Sequence, residues 1–202
     1  MAILKATKAI SGDDTYVACS AEGSLITVDQ RMIWTAKGYG YQAMATSAVA
    51  SLIVRPTTTA IATLFNNTSS KNFVIDRVFA HNLVSIADGQ FGIWLCVHPI
   101  GMTAPANDIT VRNSTNGSGT NTEGLFDNAA TVVDNGWFPW GENSTSVTVT
   151  VPGSLAQALV DGRIIIPPTS ALSVSVVGQT AAVTTCVGIH WYSVPETEFS
   201  VI

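Results

Sequence analysis

The sequence predicts an all-β protein built as an antiparallel β-sandwich, and three observations support that fold class. Hydrophobic residues alternate with small or polar ones wherever a pattern can be followed, which is the period of a half-buried strand. Turn-forming residues separate these runs at short intervals. Hydrophobic residues make up 47% of the 202 positions, so the chain can bury a core without disulfides or metal.

Four runs show the clearest alternation: residues 91–97, 147–151, 172–176 and 183–192. Within 91–97, Phe91, Ile93, Leu95 and Val97 share one face, and we expect that face to belong to a half-buried strand. The turn signals include 66–70, 161–162 and 177–179. Two short segments, 153–160 and 42–50, carry a weak helical pattern.

The chain divides into a predicted N-terminal arm or extension (residues 1–50), a sandwich (51–195) and a C-terminal tail (196–202). The first part is poorer in strand pattern and richer in Gly, Ala and scattered aromatics. We expect it to pack on a neighbour or on its own sandwich. The second part has room for about eight strands, which suggests a jelly-roll-like arrangement.

Charged residues are scarce, at 11% of the chain against about 25% in an ordinary domain. Hydroxyl and amide groups replace them, and these are buried at interfaces at a lower desolvation cost than full charges. The nine Lys and Arg residues are spread singly, so a surface that follows nucleic-acid phosphates is not expected. The composition favours a structural protein that assembles with other proteins.

Neither a secretion signal nor a membrane-spanning segment is expected. The start of the chain has no apolar stretch behind its lysines, and the apolar residues 43–54 are too few to span a bilayer. The cysteines Cys19, Cys96 and Cys186 lie far apart, so we expect buried thiols in a protein made in a reducing, intracellular compartment.

No catalytic set is expected, and the protein is predicted not to be an enzyme and to need no cofactor or metal. His81, His98 and His190 have no carboxylate or second histidine at ligand spacing, so packed or surface roles are expected. A calcium site built from loop carboxylates is conceivable, although their spacing matches no known calcium loop. Those carboxylates are Asp108, Glu123, Asp127 and Asp134.

An aromatic cluster formed by Trp137, Phe138, Pro139 and Trp140 is the first candidate interface. Pro139 cannot donate to a sheet ladder, so this segment is predicted to be an edge strand or a loop. Three interpretations remain open. The aromatics could plug the end of the sandwich, anchor a protein interface, or stack on a sugar.

The residues Ile164, Ile165 and Ile166, followed by two prolines, form the second candidate interface. Three consecutive isoleucines suggest a strand buried on both faces, covered by the arm, another sheet or a neighbouring subunit. This is the main indication of oligomerisation. The polar segment 113–124 is expected to be a mobile loop, with ligand binding as the alternative.

The C-terminal pattern resembles the closing hairpin of small jelly-roll structural proteins from tailed-phage virions. It runs from 161–168 through 171–174 to 188–195: a glycine, a hydrophobic strand, prolines, a Leu-Val strand and a final strand with Trp and Tyr. Residues 43–65 and 73–77 also look like phage structural sequences, whereas the first 40 residues have no match.

This resemblance implies a virion protein that binds and stabilises the capsid, as a decoration, cement or minor capsid protein. Its partners would be the major capsid protein or other virion proteins. A homo-oligomer is expected, a trimer first and a dimer second. The alternative is a receptor-binding or glycan-binding module of a phage tail or fibre.

Overall fold

A computed structural model describes residues 5–7, 14–16, 29–82, 89–128, 130–147 and 153–199, with only the backbone for the first two ranges. The predicted all-β antiparallel sandwich is confirmed. The predicted strand at 147–151 lies almost wholly outside the described residues. No described helix is long and apolar enough to cross a membrane.

Within the described ranges the elements are one α-helix, fifteen strands and a closing 3₁₀ turn at Glu196–Glu198. In chain order they are β1 (Lys5–Thr7), β2 (Asp14–Tyr16), α1 (Gln30–Ala36), β3 (Gly40–Met44), β4 (Val49–Ala50), β5 (Ala62–Phe65), β6 (Lys71–Asn82), β7 (Gln90–Val97), β8 (Val111–Asn113), β9 (Gly119–Thr120), β10 (Leu125–Asn128), β11 (Phe138–Thr145), β12 (Leu155–Leu159), β13 (Ile165–Ile166), β14 (Ala171–Gly178) and β15 (Thr184–Pro195).

Two antiparallel sheets form the sandwich. The smaller has the order β10-β5-β14-β7-β11, and the larger has the order β12-β6-β15-β3-β8-β9, with β13 on β6 and β4 on β15. Strands β1 and β2 form a separate pair. The pairs β5–β14, β6–β12 and β7–β11 are nested along the chain, which is the pairing of a rolled-up antiparallel ribbon and agrees with the jelly-roll-like prediction.

The core lies between the two inner faces. Its largest side chains with essentially no exposure include Trp191, Phe73, Phe91, Leu64, Ile93 and Ile189. On the face predicted for residues 91–97, Phe91, Ile93 and Leu95 are buried, whereas Val97 at the end of the strand is 38% exposed. Each such side chain contributes roughly 1.5–3 kcal/mol through burial, so the alternating pattern holds the two sheets together.

Both weak helical predictions are wrong. Residues 153–160 contain β12, and residues 42–50 contain the end of β3 and all of β4. In β12, Ala156 and Ala158 point into the core, while Leu155 and Leu159 point outward, so the real period is two. Pairing with β6 overrides the helix propensity of Leu and Ala.

Part of the predicted arm and part of the predicted tail pack on the protein's own sandwich. Helix α1 begins after Asp29, whose carboxylate accepts the N–H of Arg31 at 2.8 Å. From this helix Trp34 packs against Tyr192 of β15, with 5.5 Å between ring centroids, and also against Phe199. The arm also supplies β3, which pairs with β15 within the larger sheet. Residues 1–4, 8–13 and 17–28 lie outside the described part.

Candidate functional site

The predicted aromatic cluster is split between a buried and a half-exposed part. Trp137 is buried against Cys96, Ala130 and Val132, on the outer side of the smaller sheet. Pro139 is exposed on β11, which is an edge strand, so the prediction made from the proline is confirmed. The Trp137 ring therefore plugs the fold and presents no surface to a sugar.

Trp140 ties the two edge strands of the sandwich together. Its indole N–H donates to the carbonyl of Leu159 at 3.1 Å, and the guanidinium of Arg163 lies 5.2 Å from the ring centroid. Gly141 has a φ of +85°, and a Cβ there would lie 2.7 Å from the carbonyl oxygen of Gln157. Glycine is thus required where β11 crosses β12, and the crossing closes one side of the sandwich.

The prediction that the three isoleucines are buried on both faces is wrong for the single chain. Ile164 and Ile166 belong to the core, whereas Ile165 is 44% exposed. Strand β13 is only two residues long and alternates like any strand. Ile165 lines a cavity of about 360 Å³ beside Trp34 and Phe199, at the margin of the area that the arm and the tail cover.

The polar segment 113–124 includes a hydrogen-bonded hairpin. The side chain of Asn113 accepts the N–H groups of Thr115 (2.9 Å) and Asn116 (3.3 Å), and its carbonyl accepts the N–H of Gly117. These bonds fold the chain back from β8 to β9. Asn and Gly supply turn geometry here, a role that composition alone did not distinguish from an irregular loop.

The outward-facing residues of β12, β6, β15, β3 and β8 form a continuous surface that we call the outer face. It consists of Leu155, Gln157, Leu159, Arg77, Phe79, His81, His190, Gln42, Met44 and Arg112. Phe79 lies over Gly188, where a Cβ would come 2.2 Å from the ring. Cavities of about 550 Å³ and 310 Å³ flank this ring. The helix and tail residues that cover the neighbouring part of the sheet do not line these two cavities.

A hydrogen-bonded network at the border of the outer face is centred on His190; we call it the His190 cluster. The Nδ1 of His190 lies 3.2 Å from the carboxylate of Asp76, and the Nε2 of His190 lies 3.2 Å from the hydroxyl of Ser114. Asp76 is the extra residue of a β-bulge in β6, which turns it toward the histidine. Arg31 pairs with Asp76 at 3.2 Å and with Asp161 at 2.9 Å. The hydrogen bond from His190, followed by that from Arg31, holds the pKa of Asp76 below its ordinary value despite burial.

A second network of the same residue types lies on the outer side of the smaller sheet; we call it the His98 cluster. The Nδ1 of His98 lies 2.9 Å from Asp134, and its Nε2 lies 2.7 Å from the hydroxyl of Ser173. Thr63 extends the chain, 2.9 Å from Ser173. Cys96 completes the cluster, because its thiol bonds to the same carboxylate. Burial and the negative charge of Asp134 raise the pKa of Cys96 to about 12.

The order Ser-His-Asp in both networks resembles a nucleophilic triad, but neither network has the other parts that such chemistry needs. Ser173 has no exposed surface, so a substrate cannot reach it. Ser114 is partly exposed, yet the N–H groups of Ser114, Thr115 and Asn116 are already bonded to the carbonyl of Gly40 and to Asn113. No donor pair for an oxyanion is therefore left at that position.

The carboxylates considered for calcium go to three different places. Asp108 lies beside Asp127, and burial followed by the charge of Asp108 raises the pKa of Asp127. Glu123 pairs with Lys71, and Asp134 belongs to the His98 cluster. The four therefore do not share one site.

Sequence reasoning missed the acid partners of both histidines. Asp134 is 36 positions from His98, and Asp76 is 114 positions from His190, so spacing carries no signal for either pair. The sequence did contain one signal for the His98 cluster. Cys96 and His98 are two residues apart in a strand-like segment, so their side chains must point to the same side of the sheet. The thiols of Cys96 and Cys186 are buried and free, as predicted, whereas Cys19 lies outside the described residues.

Comparisons with known proteins give little information about this chain. No protein-family model matches it, and no curated protein matches it. One solved structure is similar to a small degree, a chain from the structure of infectious bursal disease virus Gx strain. It is 15% identical over 80% of this chain and 41% of that chain, with a TM-score of 0.11. This chain thus spans less than half of the viral chain, and an overlap at this level supports no conclusion about fold or function.

Proposed function

We propose that this protein is a non-enzymatic structural protein of a virion, which binds capsid subunits and stabilises the shell as a decoration, cement or minor capsid protein. The outer face is the observation that carries this proposal. An antiparallel sheet with one solvated face normally alternates apolar-in and polar-out. Here Phe79, Met44, Leu155 and Leu159 occupy outward positions, and the two leucines are 45% and 54% exposed.

The chemistry of the outer face indicates the kind of partner. Its permanent charges, Arg77 and Arg112, are positive although the protein carries a net charge of −5, and together they exceed the single carboxylate, Asp108, that lines the same cavity. A protein surface that presents apolar side chains flanked by carboxylates would complement it. Such a surface is expected on the major capsid protein or on another virion protein, with no part for nucleic acid or membrane.

Assembly into a symmetric homo-oligomer, a trimer first and a dimer second, would strengthen shell binding. Each outer face contributes modest affinity, and several linked faces give avidity without new contacts. The low charge content suits this use, because hydroxyl and amide groups are desolvated at low cost. The protein would then be located in the virion after synthesis in the host cytoplasm.

Co-sedimentation with empty shells of the same virus tests the proposal. The double variant Leu155→Asp/Leu159→Asp puts two charges on exposed positions of the outer face, and we expect binding to fall at least about tenfold. Val133→Asp is the matched control, since Val133 is 81% exposed and lies outside the outer face. Thermal unfolding of each variant checks that the fold is kept. Full binding by a folded double variant would contradict the proposal.

A receptor-binding or glycan-binding module is the second candidate, and one specific cavity favours it. The cavity of about 550 Å³ is lined by Phe79, Arg77, Arg112 and Gln42, with Asp108 as its acidic side chain. An aromatic ring and two guanidinium groups could hold an acidic sugar by stacking and by carboxylate pairing. Calorimetric titration with glucuronic acid separates the two functions. Under the glycan hypothesis Arg112→Gln abolishes sugar binding and leaves shell binding intact.

A further inference from the structure

We propose that Cys96, His98 and Asp134 form a zinc-binding site on the outer side of the smaller sheet. The Sγ of Cys96, a ring nitrogen of His98 and a carboxylate oxygen of Asp134 all lie within 4.8 Å of one another. Thiolate, imidazole and carboxylate are the three ligand types that zinc takes in proteins. Within the described residues this is the one group of three such side chains that converges in this way.

The fold places the three donors from two directions. Cys96 lies in β7 and His98 directly after it, and their spacing of two residues directs both side chains to the outer side. Asp134 comes from the segment 130–137, which crosses this side of the sheet and buries Trp137 against Cys96. Backbone hydrogen bonds from Val132 to Thr58 and from Asp134 to Thr57 hold the segment in place.

Neighbouring groups already orient the donors as a metal site requires. The Nε2 of His98 is bonded to Ser173, which is bonded in turn to Thr63, so the ring is fixed with Nδ1 toward the carboxylate. The N–H of Gly136 donates to Oδ1 of Asp134 at 2.6 Å and leaves Oδ2 for the ligand position. Such partners normally support metal-binding histidines and carboxylates.

The charge balance at this site favours a cation. Asp134 has no Lys or Arg within ion-pair distance among the described residues, whereas Asp76 of the His190 cluster has Arg31. Burial raises the pKa of Asp134, but hydrogen bonds from Gly136, His98 and Cys96 outweigh it and leave the pKa below its ordinary value. The nearest described cation is Arg55, which acts on Cys96 at longer range. Its guanidinium donates to the carbonyls of Asn135 and Trp137, so a zinc ion would supply the direct positive partner of Asp134.

Binding requires only small movements and a simple transfer of protons. Zinc bonds of about 2.0–2.3 Å need donor atoms about 3.3–3.8 Å apart. Asp134 and His98, 2.9 Å apart, therefore have to separate by a few tenths of an ångström, and the Sγ of Cys96, which lies within 4.8 Å of both donors, closes in by up to about 1 Å. The Nδ1 of His98 gives its lone pair to the metal, and the ring proton resides on Nε2, bonded to Ser173. The thiol proton of Cys96 is released to solvent. Asp134, whose side chain is 22% exposed, marks the entry side, where water supplies the fourth ligand.

Cobalt substitution gives a direct test. The purified full-length protein, stripped with chelator, is titrated with Co²⁺ and then with Zn²⁺ in a Cys19→Ser background, so that Cys19 cannot contribute. We expect one equivalent of Co²⁺, a thiolate-to-cobalt charge-transfer band that Zn²⁺ removes, and a Tm increase of about 5–10 °C at a hundredfold excess of Zn²⁺ over its Kd. Cys96→Ser should lose the band, and the matched control Cys186→Ser should keep it, because Cys186 is equally buried but lies outside the cluster.

Two further variants keep the test decisive if Cys96→Ser does not fold. Ser173→Ala should weaken Zn²⁺ binding about 10–100-fold, because it removes the partner that orients His98. Ser175→Ala, on the same face of the same strand, should leave binding unchanged. The proposal is overturned if the folded protein shows no charge-transfer band, if the band persists in Cys96→Ser, or if Ser173→Ala and Ser175→Ala bind alike.

Discussion

The His98 and His190 clusters use the same three residue types but differ in what surrounds the carboxylate. In both clusters the serine and the aspartate lie at opposite ring nitrogens, but in the His190 cluster Arg31 also pairs with Asp76. In the His98 cluster no described Lys or Arg pairs with Asp134, and a thiol shares the carboxylate. The comparison shows that a Ser-His-Asp arrangement does not define a function. The fourth neighbour determines whether the group is a closed ion-pair network or a site that can accept a cation.

The largest stability difference between the two clusters is expected for removal of the histidine. His98→Ala deletes a buried ring and leaves the Cys96 thiol as the remaining side-chain donor to the carboxylate of Asp134, so we expect a loss of about 3 kcal/mol. His190→Ala should cost about 1 kcal/mol, because Arg31 still pairs with Asp76. Urea unfolding of both variants measures the difference. Equal losses would show that the arginine does not compensate.

The next effect is the pH dependence of the His190 cluster. The pKa of Asp76 is lowered in the folded protein, so its contribution to stability is present above the unfolded pKa of about 3.9 and is lost as the pH falls through the folded pKa. Asp76→Asn should therefore cost about 1–3 kcal/mol at pH 7 and progressively less toward pH 3. Unfolding curves of both proteins between pH 3 and pH 7 measure this difference in the free energy of unfolding. A difference that does not change with pH would mean that Asp76 acts by packing alone.

The smallest effect separates two neighbouring serines on β14. Ser173→Ala in metal-free protein breaks the bond to His98 and should cost about 1 kcal/mol. The hydroxyl of Ser175 is buried without a hydrogen-bond partner in the described structure, so Ser175→Ala should be neutral or slightly stabilising. Thermal unfolding of the two single variants checks this. A larger loss for Ser175→Ala would contradict the assigned network.

The fold was far easier to predict than the sites. Alternation at 91–97 and 183–192 gives the strands and their buried faces, because period two is a local property of the chain. The segment 153–160 was misjudged because Leu and Ala favour a helix until β6 is available as a partner. Pro139 identified an edge strand, since the missing N–H is also a local constraint.

The sites depend on contacts between distant segments. A bulge at Asp76 brings that carboxylate to His190, and the segment 130–137 brings Asp134 to His98. Residue spacing along the chain predicts neither the bulge nor the position of this segment. The isoleucine triplet shows the same limit, because composition gives the apolar character of Ile165 but not the extent of the cover that α1 and Phe199 provide.

The crossing of β11 and β12 at Gly141 has a consequence for behaviour at high concentration. An open sheet edge is a template for strand addition, which leads to fibres and aggregates. In the described sandwich Trp140, Gly141 and Arg163 close the side where β11 meets β12. The opposite edge strand of the larger sheet is β9, which has only two residues. The opposite edge strand of the smaller sheet is β10, which is shielded by a bridge between Ile109 and Phe126. We therefore expect copies of this protein to show little tendency to polymerise edge to edge through the described strands when they are concentrated.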